Sequence, residues 1–280
     1  MGAKVNQAKL FLLGCLTVSS AILAEPAGTT TESISVFQKV KARYWTKYNG
    51  SPVADIGSRY TTSSFGETGK QAQSGDNLLT LGYQMNSTFR PGVGLPFQFQ
   101  PISHNPLWLK PPYVGLTDFT ILETGPFSVH GDARLYLPIG DMASFQEIKT
   151  GLRTSQLALY RVPNSNWLLG SSSYVRSYRY AEFQPGVHGE YRSDFEIYFS
   201  PFASYRMTDK LAAMVWVDLL QLSHKFGTTE PLVNLPVDIQ PGIVWTVAEG
   251  VSVNPYLNFI PSALRLDNIN WGVVVMAALT

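Results

Sequence analysis

Asp194-Phe195-Glu196-Ile197-Tyr198-Phe199-Ser200-Pro201-Phe202-Ala203-Ser204-Tyr205-Arg206-Met207 runs through Thr208-Asp209-Lys210 into Leu211-Ala212-Ala213-Met214-Val215-Trp216-Val217-Asp218-Leu219. In an extended chain, successive side chains point to opposite faces. Phe195, Ile197, Phe199, Ala203, Tyr205 and Met207 then share one face, and Asp194, Glu196, Ser200, Ser204 and Arg206 share the other. In the second arm Leu211, Ala213, Val215, Val217 and Leu219 line one face, with Asp218 opposite. A three-residue loop at Thr208-Asp209-Lys210 sets Met207 against Leu211, so the two apolar rows merge and Asp218 stays on the polar side. A two-residue loop would place Asp218 among apolar side chains, because a one-residue slip inverts every side chain. The arms run to roughly 10–14 residues, against about 5–6 for the usual globular strand. Long tilted strands with one apolar and one polar face suit a barrel wall in lipid.

Composition agrees with that class. The 280 residues are 45% hydrophobic and 12% aromatic, and only 15% are charged, where about 25% charged is typical of soluble domains. No apolar run beyond the N-terminus is long enough for a membrane-spanning helix. Without Lys4 and Lys9 of the N-terminal segment, 19 basic residues stand against 20 acidic ones, a net of −1. That balance has no electrostatic footprint for nucleic acid, which is not an expected partner.

Residues 1–24 read as a secretory signal peptide. Lys4 and Lys9 give the positive start, Leu10 to Leu23 the apolar region, and Ala24 precedes Glu25-Pro26. The rival is a lipid-attachment site at Leu12-Leu13-Gly14-Cys15, which would leave an apolar region of only four residues. Cys15 is the sole cysteine, so the mature chain would carry no thiol and suits an oxidising compartment.

Residues 25–33 read as a flexible N-terminal segment and 34–280 as the barrel. Ile34 to Tyr48 alternates, with Lys39, Lys41, Arg43 and Lys47 on one face. A lysine or arginine facing mid-bilayer costs roughly 2–4 kcal/mol, so that face must turn inward. Further strands are predicted at 54–65 (Asp55 and Arg59 inward), 77–89, 113–122, 127–137, 152–162, 167–181, 237–247, 251–259 and 269–279. Gly250 in Ala248-Glu249-Gly250 supplies the left-handed residue of a three-residue hairpin loop that sets Val247 against Val251. Arg90 to Pro112 shows no alternation and reads as a long loop, folded into the mouth or lying on the headgroups. Short turns alternate with long connections, and on that basis the 77–89 strand runs from the short-turn end toward the long loops. The expected fold is all-β, a transmembrane antiparallel barrel of about twelve strands, with ten as the alternative.

At the last segment, Asn270-Trp271-Gly272-Val273-Val274-Val275-Met276-Ala277 resembles the C-terminal signal of Gram-negative outer-membrane β-barrel proteins, carried here by Asn270, Gly272, Val275 and Ala277. The chain departs from the signal by ending in Leu279-Thr280 rather than an aromatic residue. The resemblance implies a bacterial outer-membrane location, lipids of that membrane as surroundings, and insertion by the barrel assembly machinery. It names no activity.

The residues expected to line the interior are Lys39, Lys41, Arg43, Lys47, Arg59, Asp118, His130, Asp132, Arg134, Arg153, Arg161, Arg176, Asp194, Glu196, Arg206, Asp218 and Asp238. Charged rings set ion selectivity, and a basic excess favours anions. The alternative is that opposite charges brace the interior and close it. His130, Asp132 and Arg134 fall at i, i+2 and i+4, which could serve acid–base chemistry, but no serine can be tied to His130 and an ion-pair lattice explains them as well. His104 has no second ligand at metal-binding spacing, and no cofactor is expected. The leading expectation is a narrow, non-enzymatic channel passing small solutes with a slight anion preference. A closed structural or surface-interaction barrel is second, a barrel hydrolase third, and a soluble lipocalin-like binder fourth.

Overall fold

The computed structural model describes residues 40–50, 74–86, 89–99, 107–181, 193–229, 231–263 and 269–278. The leader, the 25–33 segment, the 54–65 strand, Lys39, Asp55, Arg59 and His104 lie outside those residues.

In chain order the strands are β1 (Val40–Gly50), β2 (Ser74–Tyr83), β3 (Pro91–Phe99), β4 (Leu107–Leu109), β5 (Tyr113–Thr124) and β6 (Phe127–Tyr136). A short helix α1 (Asp141–Gln146) precedes β7 (Ile148–Arg161), β8 (Trp167–Tyr180), β9 (Ser193–Arg206), β10 (Leu211–Asp218) and β11 (Leu220–Lys225). Then come β12 (Val233–Asn234), β13 (Asp238–Ala248), β14 (Val251–Asn258) and β15 (Asn270–Ala278). Every pairing is antiparallel, β15 pairs β1, and β10 pairs both β9 and β13, so the sheet closes on itself. The short β4 and β12 are flaps on β3 and β11, and β10 with β11 forms one wall strand interrupted at Leu219. The barrel therefore has twelve wall strands. Closure leaves no unpaired edge, which a sheet in hydrocarbon requires.

The count of twelve is reached by a different strand from the one the sequence suggests. β1 is bonded to β15 on one side and to β2 on the other, and the 54–65 segment lies outside the described residues. The additional strand is β3, inside the stretch read as a loop, and β4 also falls there. With β1 and β2 adjacent and antiparallel, β2 runs toward the short-turn end, opposite to the predicted direction. β3 does alternate: Val93, Leu95 and Phe99 are exposed, while Gly94 and Gln98 are buried. Two glycines and two prolines in nine residues hide the pattern, since both types ordinarily weaken strands. Gly94 is needed because the Tyr113 ring occupies the space that a Cβ would fill. Gly272 lies under Tyr256 in the same way.

The two hairpins read from sequence fare differently. Ala212 pairs with Arg206 and the Met207 N–H donates to the Leu211 carbonyl at 2.9 Å, as the three-residue loop requires. At the other, Ala248 rather than Val247 opposes Val251, with a bulge between Thr246 and Ala248. Gly250 has φ 69°, the left-handed residue of that turn.

Facing follows the period-two rule. Along β10 burial alternates strictly, with Ala212, Met214, Trp216 and Asp218 buried inward and Leu211, Ala213, Val215 and Val217 turned outward. The inward side is less polar than expected. Leu157, Leu159, Leu168, Tyr174, Tyr198, Phe202, Ala212, Met214, Trp216 and Val244 make one buried cluster inside the wall. Trp45, Leu78, Tyr113, Tyr136, Tyr256, Val274 and Met276 make a second. A narrow barrel has little room for water, so its interior packs as a protein core does.

Val215→Arg places a cation on the outward face, which at the middle of a bilayer would cost about 2–4 kcal/mol. It is expected to abolish the heat-modifiable folded band on gels, while Asp218→Asn folds like wild type. Equal folding of both variants would contradict the facing.

Candidate functional site: a charged interior

One charged cluster is organised by Asp118. A bulge in β5 between Leu116 and Phe119 leaves Asp118 at φ 53°, a left-handed conformation that aspartate tolerates better than most residues. Arg43 Nη2 donates to Asp118 Oδ2 at 2.8 Å and Arg90 Nη1 to the same oxygen at 3.1 Å. His130 Nδ1 lies 3.9 Å from Oδ1. One carboxylate thus ties β1, the β2–β3 turn and β6 together. Next to it Arg134 grips Asp132 with Nε and with Nη2, the latter at 2.8 Å. Lys41, Arg43, Arg90, Asp118, His130, Asp132, Arg134 and Ser155 line a cavity of about 50 Å³, room for a few waters at most.

A second group lies nearer the long-loop end. Asp218 and Asp238 are direct cross-strand partners, each 2% exposed. Tyr198 Oη donates to Asp218 Oδ1 at 2.5 Å, Gln240 Nε2 donates to both carboxylates at 3.3 and 2.7 Å, and Asn258 Nδ2 donates to Asp238 at 3.2 Å. Lys47, also buried, has its ammonium 5.1 Å from the Tyr256 ring centroid. Lys110 pairs with Asp76, and Arg176 with Glu196.

Arg134, Arg153 and Arg176 form a cross-strand row on β6, β7 and β8. Their guanidiniums lie over tyrosine rings, at 4.2 Å from Tyr113, 3.8 Å from Tyr174 and 5.1 Å from Tyr178. Three other residues read as interior stand elsewhere. Arg161 and Arg206 are exposed at the short-turn ends of β7 and β9. Asp194 is the extra residue of a bulge where β11 pairing jumps from Phe195 to Ser193, and it bonds His224 Nδ1 at 2.6 Å. Since Ser223 and Glu196 are the buried pair beside it, His224 and Asp194 lie off the inner face.

Sequence reasoning missed Arg90, Lys110 and Asp76. The first two belong to the stretch read as a loop, and the register that gives them partners depends on β3. Asp76 precedes Leu79 and Leu81 without an alternating context of its own. Within the His130 cluster Asp132 is held by Arg134, and the carboxylate that His130 faces is Asp118. Among the described residues no serine hydroxyl hydrogen-bonds His130, and no group of three metal-ligating side chains is found.

No protein-family model matches the sequence, and no curated protein sequence matches it. Solved structures do. An outer-membrane channel from Pseudomonas putida F1 aligns with a TM-score of 0.54 at 10% identity, covering 91% of this chain and 100% of that one. The NanC porin aligns with a TM-score of 0.50 at 6% identity, covering 85% of this chain and 100% of that one. The likeness is one of fold: the chain is a closed antiparallel barrel of the outer-membrane type.

Asp118→Asn weakens the joint between Arg43 and Arg90 and is expected to lower unfolding stability by about 1–3 kcal/mol. Arg206→Gln, at the exposed rim, should change it by less than about 0.5 kcal/mol. Urea titration of the refolded barrel monitored by tryptophan fluorescence checks both.

Proposed function

We propose that the protein is a narrow outer-membrane channel for small solutes, with a slight preference for anions. The observation that carries this reading is the sign of the inner wall. Lys41, Arg43, Lys47, Arg90, Lys110, Arg134, Arg153 and Arg176 stand there against Asp76, Asp118, Asp132, Glu196, Asp218 and Asp238. Among the described residues the cations outnumber the carboxylates by two, and such an excess raises the local concentration of permeating anions. The fold shared with the Pseudomonas putida channel supports passage as the class of function. Location in the bacterial outer membrane, contact with its lipids and insertion by the barrel assembly machinery belong to the same proposal. In β15 Gly272 is buried, while Val275 and Ala277 alternate outward with buried Val274 and Met276, which supports the terminal segment as an assembly signal.

A second reading has its own support. Two clusters of buried apolar and aromatic side chains stand on the inner wall, so the channel reading requires that side chains there move to admit a solute. A permanently closed barrel with a structural role predicts no such movement.

Planar-bilayer recording of the refolded protein separates the two. The channel reading predicts small discrete conductance steps and, in a potassium chloride gradient, a reversal potential displaced toward chloride. Arg43→Glu with Arg90→Glu should reduce or invert that displacement. A folded, membrane-inserted protein that stays silent at all voltages would favour the structural barrel.

A further inference from the structure

The arginine row is unequally satisfied. Arg134 uses Nε and Nη2, the two donors on one edge of the guanidinium, to hold both oxygens of Asp132. Arg176 reaches Glu196 through Nη2. Arg153 stands between them, directly opposite each across β6–β7 and β7–β8. It is 3% exposed, yet its Nε and Nη2 have no hydrogen-bond partner, and no carboxylate forms an ion pair with it among the described residues. Its guanidinium lies face-on to Tyr174 at 3.8 Å, which eases the charge but leaves the edge N–H groups bare. Tyr174 Oη and Arg176 Nε are likewise buried without a partner. A guanidinium does not shed its proton, and a buried charge flanked by two like charges calls for a counter-ion.

We propose that Arg153 anchors a buried oxyanion site, and that the ligand is a carboxylate or another anion presenting two coplanar oxygens. The chemistry follows from which donors are vacant. Nε and Nη2 point in parallel from one edge, the fork that matches two oxygens of a carboxylate. Asp132 fills the same edge of the neighbouring Arg134, so the row already displays the mode of binding once. Chloride offers one acceptor atom where the fork calls for two, and water lacks the charge. A cavity lined by Arg134 and by Ser155, the next inward residue after Arg153 on β7, lies beside the row. Solute passage is not required for this site.

The test is thermal unfolding of the refolded protein in detergent, with sodium formate replacing sodium chloride at constant ionic strength. A saturable rise in the unfolding midpoint with formate is expected for wild type. Arg153→Gln should abolish the rise, Arg153→Lys should shrink it to the level seen with chloride, and Arg206→Gln should leave it intact. Equal effects of formate and chloride on wild type would overturn the proposal without reference to any variant, as would a full formate response in Arg153→Gln. Gluconate distinguishes the ligand's source: stabilisation by formate alone indicates a small free anion, and stabilisation by both indicates the pendant carboxylate of a larger solute. Bilayer conductance is an independent readout, so a silent barrel that responds to formate keeps the site while losing the channel.

Discussion

Every feature of this barrel depends on satisfying the backbone within the wall. In hydrocarbon an unpaired N–H or C=O has no water to turn to, so each strand must be bonded on both edges. β15 meets β1 and β9 meets β10 to complete that circuit. Once the circuit is closed, alternation along each strand becomes a choice between two environments. Leu211, Ala213, Val215 and Val217 go outward, and Ala212, Met214, Trp216 and Asp218 go inward. Outside, apolar character is demanded. Inside, the demand is only that space be filled and polar groups be paired.

The interior meets those two demands in different places. Tyrosines and tryptophans fill volume, and glycines on neighbouring strands make room for their rings, as Gly94 does for Tyr113 and Gly272 for Tyr256. Charges are paired across long sequence distances: Arg43 and Arg90 on Asp118, Lys110 on Asp76, Arg176 on Glu196. Cation–ring contacts join the two systems, since Arg134, Arg153 and Lys47 each lie over a tyrosine of the packed core. A cavity of about 50 Å³ lies where Lys41, Arg43, Arg90 and Arg134 gather. Bulges are the local device that departs from strict alternation. One aims Asp118 at two arginines, and another carries Asp194 away from the inner face to His224.

The fold class was legible because a barrel in lipid imposes a single strong rule, and β9, β10, β13 and β15 obey it openly. The inward placement of Arg134, Glu196, Asp218 and Asp238 follows from the same rule. β3 was illegible because its inward positions are Gly92, Gly94, Pro96 and Gln98, chosen to fit Tyr113 and its neighbours rather than to alternate in polarity. The apolar filling of the interior was hidden for a related reason. Met214 and Trp216 are as hydrophobic as their lipid-facing neighbours, so hydropathy alone cannot separate a packed interior from a membrane face. Pairing partners were beyond reach, because bulge positions shift register by one residue and depend on the neighbouring strand.

Lipid quenching along β10 tests the central claim most directly. The sequence's only cysteine is Cys15, so with Cys15 replaced by serine, single cysteines from 211 to 218 can be labelled with a fluorophore and the protein reconstituted with brominated lipids. The account predicts quenching with a period of two, strong at 211, 213, 215 and 217 and weak at 212, 214, 216 and 218. Uniform quenching, or quenching with a helical period, would contradict a closed barrel wall with lipid on one side and a packed, charged interior on the other.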